Sequence, residues 1–129
     1  MAIRKQLSVT MENRPGTLAE MCRALGEKKV NILALISSER EGQSLVCMIV
    51  DKVLVAKRAL QAIGYAYTED QVLVTKVPNR PGTFATVAKR LGDAGVNIDY
   101  AYLGAEAGSR QQLVVLSVSD LDQGKKLVK

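Results

Sequence analysis

An α+β fold in which a βαββαβ unit is built twice, with antiparallel sheets covered by helices on one face, is what this sequence predicts. Three observations carry that prediction. Asn13-Arg14-Pro15-Gly16-Thr17 recurs unchanged 66 positions later as Asn79-Arg80-Pro81-Gly82-Thr83. At the same offset Leu25-Gly26 returns as Leu91-Gly92, and Val30-Asn31-Ile32 returns as Val96-Asn97-Ile98, so a whole structural unit is duplicated. In each copy the segments also follow the same order, a period-2 strand, a helix of period 3.6 and then strand-like stretches broken by a turn. Residues 1–70 and 71–129 are the two units this implies.

Each unit opens with a period-2 segment, Gln6 to Met11 and Gln71 to Val77, that runs as a strand into the Pro-Gly turn. A helix follows. Leu18, Met21, Cys22 and Leu25 keep the i, i+3, i+4, i+7 spacing, as do Phe84, Val87, Ala88 and Leu91, so one face of each helix is apolar. Pro15 and Pro81 suit a first helical turn, and Gly95 suits a helix exit where the first copy has Lys28-Lys29. A hairpin comes next, with strands at 31–38 and 44–50 in one copy and 97–103 and 113–119 in the other. Leu45 matches Leu113 at an offset of 68, so the second hairpin loop is two residues longer. A second helix fits Val53 to Ile63, closed by Gly64, with a short strand at Tyr65 to Thr68.

This order is the ferredoxin-like, or split βαβ, arrangement. A lone unit of about 60 residues buries a modest core, so the copies are expected to share a sheet or an interface. The run Leu45 to Val50 is apolar at both parities, which predicts a strand shielded on both faces. The chain ends too early for the second copy to complete itself, so the last strand of the second repeat is missing. That leaves Gln71 to Val77 as an open edge unless dimerisation or the strand Tyr65 to Thr68 covers it.

Composition narrows the function classes. With 47% hydrophobic and 24% charged residues, the chain reads as globular, and no apolar run reaches the roughly 20 residues of a membrane span. Neither a signal peptide nor a membrane partner is expected, which makes the cytoplasm the expected compartment. Cys22 and Cys47 are unclustered and read as buried thiols. The net charge of +5 invites a nucleic-acid reading, but the Lys/Arg pairs are small, scattered and placed on helices, where they decorate a solvated face. The aromatics that an RNA-recognition sheet stacks on its central strands are missing from Gln6 to Met11 and Ser44 to Val50, so no nucleic-acid partner is expected. There is no His, no metal-ligand spacing, no phosphate-cradling glycine run and no nucleophile with an evident base. The expectation is therefore no catalysis, no catalytic residue, no metal and no cofactor. Asp51, Asp120 and Asp122 read as helix caps.

What remains is the duplicated turn. A glycine where a strand meets a helix lets a ligand approach the backbone, and the unpaired amides of a first helical turn favour a carboxylate. An Asn side chain offers both donor and acceptor, as a zwitterionic amino acid requires. The same residues also make a good turn and cap with no ligand at all. The copies differ. Thr17 followed by Glu20 fits a capping box that would occupy amides and add negative charge, whereas Thr83 is followed by Thr86, so the second turn is expected to be the better anion receptor. Tyr100 and Tyr102 share one face of the strand where the first copy has Ala34 and Ile36, and fit either interface packing or the apolar end of a pocket.

A strand leading into Asn-Arg-Pro-Gly-Thr-Leu/Phe, a helix ending in Leu-Gly, and then Val-Asn-Ile, all present twice, resembles the ACT domain family of small-molecule regulatory modules. The chain is similar to stand-alone members made of two ACT units without an enzyme domain. The resemblance implies an amino acid or similar metabolite bound where the turn of one unit meets the second strand of a neighbouring unit. Matched onto this chain, the implied ligand-binding residues are Asn13, Gly16, Thr17 and Leu18 with Asn31 and Ile32, and Asn79, Gly82, Thr83 and Phe84 with Asn97 and Ile98. Serine-binding relatives carry a His two places before the Asn; Met11 and Val77 stand there, which argues against a serine-specific pocket. A homodimer is the expected assembly. An alternative is a regulatory subunit that docks onto an amino-acid metabolic enzyme.

Overall fold

The computed structural model describes residues 2–128. In chain order the elements are β1 (Ala2–Glu12), α1 (Thr17–Glu27), β2 (Ile32–Arg40), β3 (Gln43–Val50), α2 (Val53–Ala62), β4 (Tyr67–Pro78), α3 (Thr83–Asp93), β5 (Ile98–Gly104), β6 (Gln111–Val118) and α4 (Leu121–Leu127). The fold is the expected α+β one, with antiparallel pairing of β1 with β3, β2 with β3, β4 with β6 and β5 with β6. The chain divides into two compact units, residues 5–70 and residues 71–128 together with 2–4.

In the unit of residues 5–70, the strand order is residues 67–70 of β4, then β1, β3 and β2. Leu7, Val9 and Met11 of β1 and Val46, Met48 and Val50 of β3 share one face, as a period of 2 requires. Met21 and Leu25 of α1 and Ala56, Ala59 and Leu60 of α2 pack onto that face. The opposite parity of β3 is also shielded, with Ile49 fully buried and Cys47 at 8% exposure, so both faces of this strand avoid water as its sequence requires. Cys47 Sγ lies 3.4 Å from Ser8 Oγ, and Cys22, half-buried on α1, has its thiol pKa raised by burial. Both cysteines are free.

The other unit repeats this plan with Leu73 and Val77 of β4, Val114 and Leu116 of β6, and Val87 and Leu91 of α3 in its core. Among the described residues no strand follows α4. Residues 2–4 of β1 take the missing place beside β4, and Ile3 packs against this core. In this unit β4 therefore lies between residues 2–4 of β1 and β6. The two strands expected at 65–68 and 71–77 are one continuous strand, because no glycine or proline punctuates residues 67–77.

The hairpins follow the expected registers. Ser38 pairs with Leu45 and Gly104 with Leu113, which places two extra residues in the second loop. The first hairpin closes on Glu41 and Gly42, both with positive φ (53° and 83°), the geometry of a type I′ turn. Helix exits match as well. Lys29 (φ 59°) occupies the left-handed position that Gly95 (φ 75°) fills in the second copy, and Val30 N and Val96 N donate to Leu25 O and Leu91 O at 3.0 and 2.9 Å. Among the described residues no helix is long and apolar enough to cross a membrane.

Candidate ligand-binding turns

Gly16 and Gly82 adopt left-handed φ values of 93° and 86° as the N-caps of α1 and α3, and neither helix start is capped by a side chain. Pro15 and Pro81 accordingly sit in the turn before the helix, not in its first turn. The chain reverses from strand to helix within four residues, and only glycine takes the required φ without a Cβ penalty. Thr17 N and Thr83 N donate back to Arg14 O and Arg80 O, and Glu20 N and Thr86 N donate to Gly16 O and Gly82 O. The amides between them, of Leu18 and Ala19 and of Phe84 and Ala85, have no acceptor among the described residues. Each turn therefore presents two adjacent free N–H groups at the positive end of a helix.

The capping box expected from Thr17 and Glu20 does not form. Thr17 is the first helical residue, and its hydroxyl donates to Glu12 O at 2.8 Å and Arg14 O at 3.1 Å. The αL glycine carries the cap position one residue earlier than the motif needs. Among the described residues the Thr83 hydroxyl makes no such bond. Asp120 does cap α4, accepting from Gln123 N at 3.0 Å, and Asp122 lies in its first turn. Asp51 instead accepts from Asn31 N at 2.8 Å and pins the start of β2, while Lys52 is the N-cap of α2.

The asparagines are used differently in the two copies. Asn79 Nδ2 donates to Ser109 O (3.0 Å) and Glu106 O (3.4 Å), and its Oδ1 accepts from Gln112 Nε2 (3.1 Å). Its carboxamide ties down the long hairpin loop. Because carbonyl oxygens only accept, this chain of bonds fixes which way both amides face, and it leaves Gln112 Oε1 buried without a partner among the described residues. Asn13 makes the counterpart bond, its Oδ1 accepting from Ser44 Oγ at 3.1 Å, and among the described residues its Nδ2 has no acceptor.

Leu18 and Phe84 turn their side chains into the cores, leaving only their amides at the openings, and Ile32 and Ile98 also pack inward. Asn31 and Asn97 are exposed. Asn97 Nδ2 donates to Asp99 Oδ1 at 2.9 Å. Within a unit these strand starts do not meet the turns. Glu12 pairs with Gln43 and Ile32 with Val50, at opposite ends of β3, and seven residues of strand span about 24 Å. The same separation holds between Pro78 with Gln111 and Ile98 with Val118 on β6. Met11 and Val77, two places before each Asn, are buried core residues.

Beside the α3 start lies a cleft of about 250 Å³, with Val77, Pro78 and Val87 as its apolar side and Arg80, Thr83, Thr86 and Arg90 as its polar side. Among the described residues neither arginine has an ion-pair partner. At the corresponding places of the first copy stand Glu12, Glu20 and Ala24, and Glu12 Oε2 binds Arg14 Nε at 2.7 Å and raises the Arg14 pKa. In the sequence Thr86 stands out only as the residue that replaces Glu20, and Arg90 reads as one of the solvated helix charges, although it stands seven residues after Thr83 and hence on the same helical face. Ser44 and Gln112, also missed, share the 68-residue offset of the hairpins.

Known proteins were then compared with the chain. The ACT domain family description matches residues 5–65 and again residues 71–129. No curated protein matches the sequence. Among solved structures, protein BT0572 from Bacteroides thetaiotaomicron is similar at 30% identity with a TM-score of 0.89, over 97% of this chain and 85% of that one. The regulatory subunit of aspartate kinase from Thermus thermophilus shares the fold at 14% identity with a TM-score of 0.73, over 98% of this chain and 91% of that one. Aspartate kinase from Clostridium acetobutylicum does so at 11% identity with a TM-score of 0.64, and there 98% of this chain covers 32% of the enzyme. With both copies of its duplicated turn, helix and strand inside the matched segments, the chain belongs to the ACT domain family, twice over.

Proposed function

We propose that this chain is a regulatory protein that binds an amino acid and performs no catalysis. The supporting observation is the pair of uncapped helix starts, each led by an αL glycine and followed by two amides without acceptors, in a chain made of two ACT domains. A carboxylate accepts from two such amides at little cost, since the glycine has already positioned them and the helix end is positive. Gly16, Thr17 and Leu18 in one copy, and Gly82, Thr83 and Phe84 in the other, receive that carboxylate. Asn13 offers its free Nδ2, whereas Asn79 acts by holding the neighbouring loop. Asn31 and Ile32, and Asn97 and Ile98, lie too far from the turn of their own unit to share its ligand. They complete the site only from a neighbouring unit, as a homodimer would supply.

A thermal-shift screen of the full chain against the twenty amino acids tests this reading. One ligand at 100 times its dissociation constant stabilises by about 2.7 kcal/mol. No shift with any of them rejects it. Light scattering with and without that ligand reports the assembly, and a monomer in both conditions rejects the homodimer.

A second reading, a regulatory subunit that docks onto an amino-acid metabolic enzyme, draws on the fold shared with a regulatory subunit of aspartate kinase. Both readings require the same ligand, and a pull-down with and without it separates them.

A further inference from the structure

We infer that the α3 cleft selects an amino acid with a second carboxylate, a dicarboxylic amino acid, over its neutral amide counterpart. This inference rests on the amino-acid reading above and adds a ligand class to one of its two turns. Both copies have a helix opening, so the opening does not distinguish them; the charge of the adjoining cleft does. Arg80 and Arg90 line the α3 cleft together with Thr83 and Thr86, and no acidic residue joins them. Among the described residues both guanidiniums lack an ion-pair partner, and the Thr83 hydroxyl, half-buried in the same cleft, makes no hydrogen bond. In the first copy the corresponding places hold two glutamates and an alanine, Arg14 is neutralised by Glu12, and the Thr17 hydroxyl is satisfied by two carbonyls.

The geometry accommodates two anionic groups. The α-carboxylate meets the Phe84 and Ala85 amides and the Thr83 hydroxyl. Residue 90 lies two turns further along α3, about 10 Å by helical rise, and helical side chains lean back toward the N-terminus. The Arg90 guanidinium thus returns toward the opening on the face of Thr83 and Thr86. A ligand carboxylate two or three carbons from the first is within its range, and Arg80 closes the mouth. A guanidinium fork binds a carboxylate through two parallel hydrogen bonds, which the neutral amide of Asn or Gln cannot reproduce because it presents one donor group where an acceptor is needed.

Calorimetric titration of the full chain with L-aspartate, L-glutamate, L-asparagine and L-glutamine at fixed ionic strength tests the inference, with inorganic phosphate as a competitor. One acidic amino acid is expected to bind at least about tenfold more tightly than its amide, and phosphate is expected to compete weakly. Arg90→Ala is expected to remove the preference, bringing the affinity for the acidic amino acid down to that for its amide, and Arg90→Lys restores part of it. Arg90 is exposed, so the unchanged melting temperature of the unliganded variant is the folding control. Equal or tighter binding of neutral amino acids overturns the inference and leaves the amino-acid reading standing. Phosphate competing as strongly as aspartate also overturns it, in favour of a general oxyanion cleft. Binding of no amino acid overturns both.

Discussion

The two copies of the duplicated unit share a backbone plan and differ in how they use charge. In the first, Glu12 holds Arg14 at 2.7 Å and Glu20 stands in the first turn of α1; in the second, Pro78 and Thr86 replace the acids and Arg90 replaces an alanine. Backbone geometry is nearly the same, with cap glycines at φ 93° and 86° and the same hydrogen bonds closing each turn. What the contrast teaches is that the duplicated motif sets the backbone of each helix opening, whereas side chains outside it set the charge around that opening.

The largest test of that contrast transplants one charge pattern onto the other. Glu12→Gln with Glu20→Thr and Ala24→Arg is expected to give the first opening the same preference, raising the calorimetric stoichiometry of sites that favour the acidic amino acid over its amide from one to two per chain. An unchanged stoichiometry places the difference in the backbone after all. The cores, by contrast, are expected to respond equally. Leu25 and Leu91 are fully buried at matching helix positions, and either one changed to Ala loses about 2–5 kcal/mol of unfolding free energy in urea titrations.

The asparagines separate the copies again. Asn79→Ala breaks three hydrogen bonds and costs about 1–3 kcal/mol, with faster amide exchange in residues 105–110, while Asn13→Ala breaks one and costs about 1 kcal/mol or less. Equal losses would mean that the long loop is not held by Asn79. The smallest effect lies at the helix exits. Lys29→Gly relieves a left-handed residue that carries a Cβ and is expected to stabilise by about 1 kcal/mol, whereas Gly95→Ala costs a similar amount. Thermal unfolding of the pair reads both signs.

Much of this was legible in the residues. The repeat, the helix spacings, the two-residue growth of the second hairpin and the glycine-led turns are local patterns, and each reappears in the structure at the positions the sequence marks. The Thr17 and Glu20 capping box was misplaced by one residue, since an αL glycine can take the cap position and the motif does not encode that choice. The role of Asn79 was hidden because its partners, Glu106, Ser109 and Gln112, lie 27 to 33 residues away. Arg90 went unread because a cation on a helix face looks the same in sequence whether it faces solvent or a cleft.

By itself the sequence determined the order of elements, the duplication and the two openings, because hydrophobic period, glycine backbone freedom and turn chemistry act over a few residues. Only tertiary structure decided that residues 2–4 lie beside β4 in the second unit, that residues 67–78 form one strand, and that one turn adjoins a cleft whose two arginines have no ion-pair partner among the described residues while the other is flanked by glutamates. Strand pairing and the matching of charges join residues far apart in the chain. Which partners meet is fixed only when the whole unit closes its core.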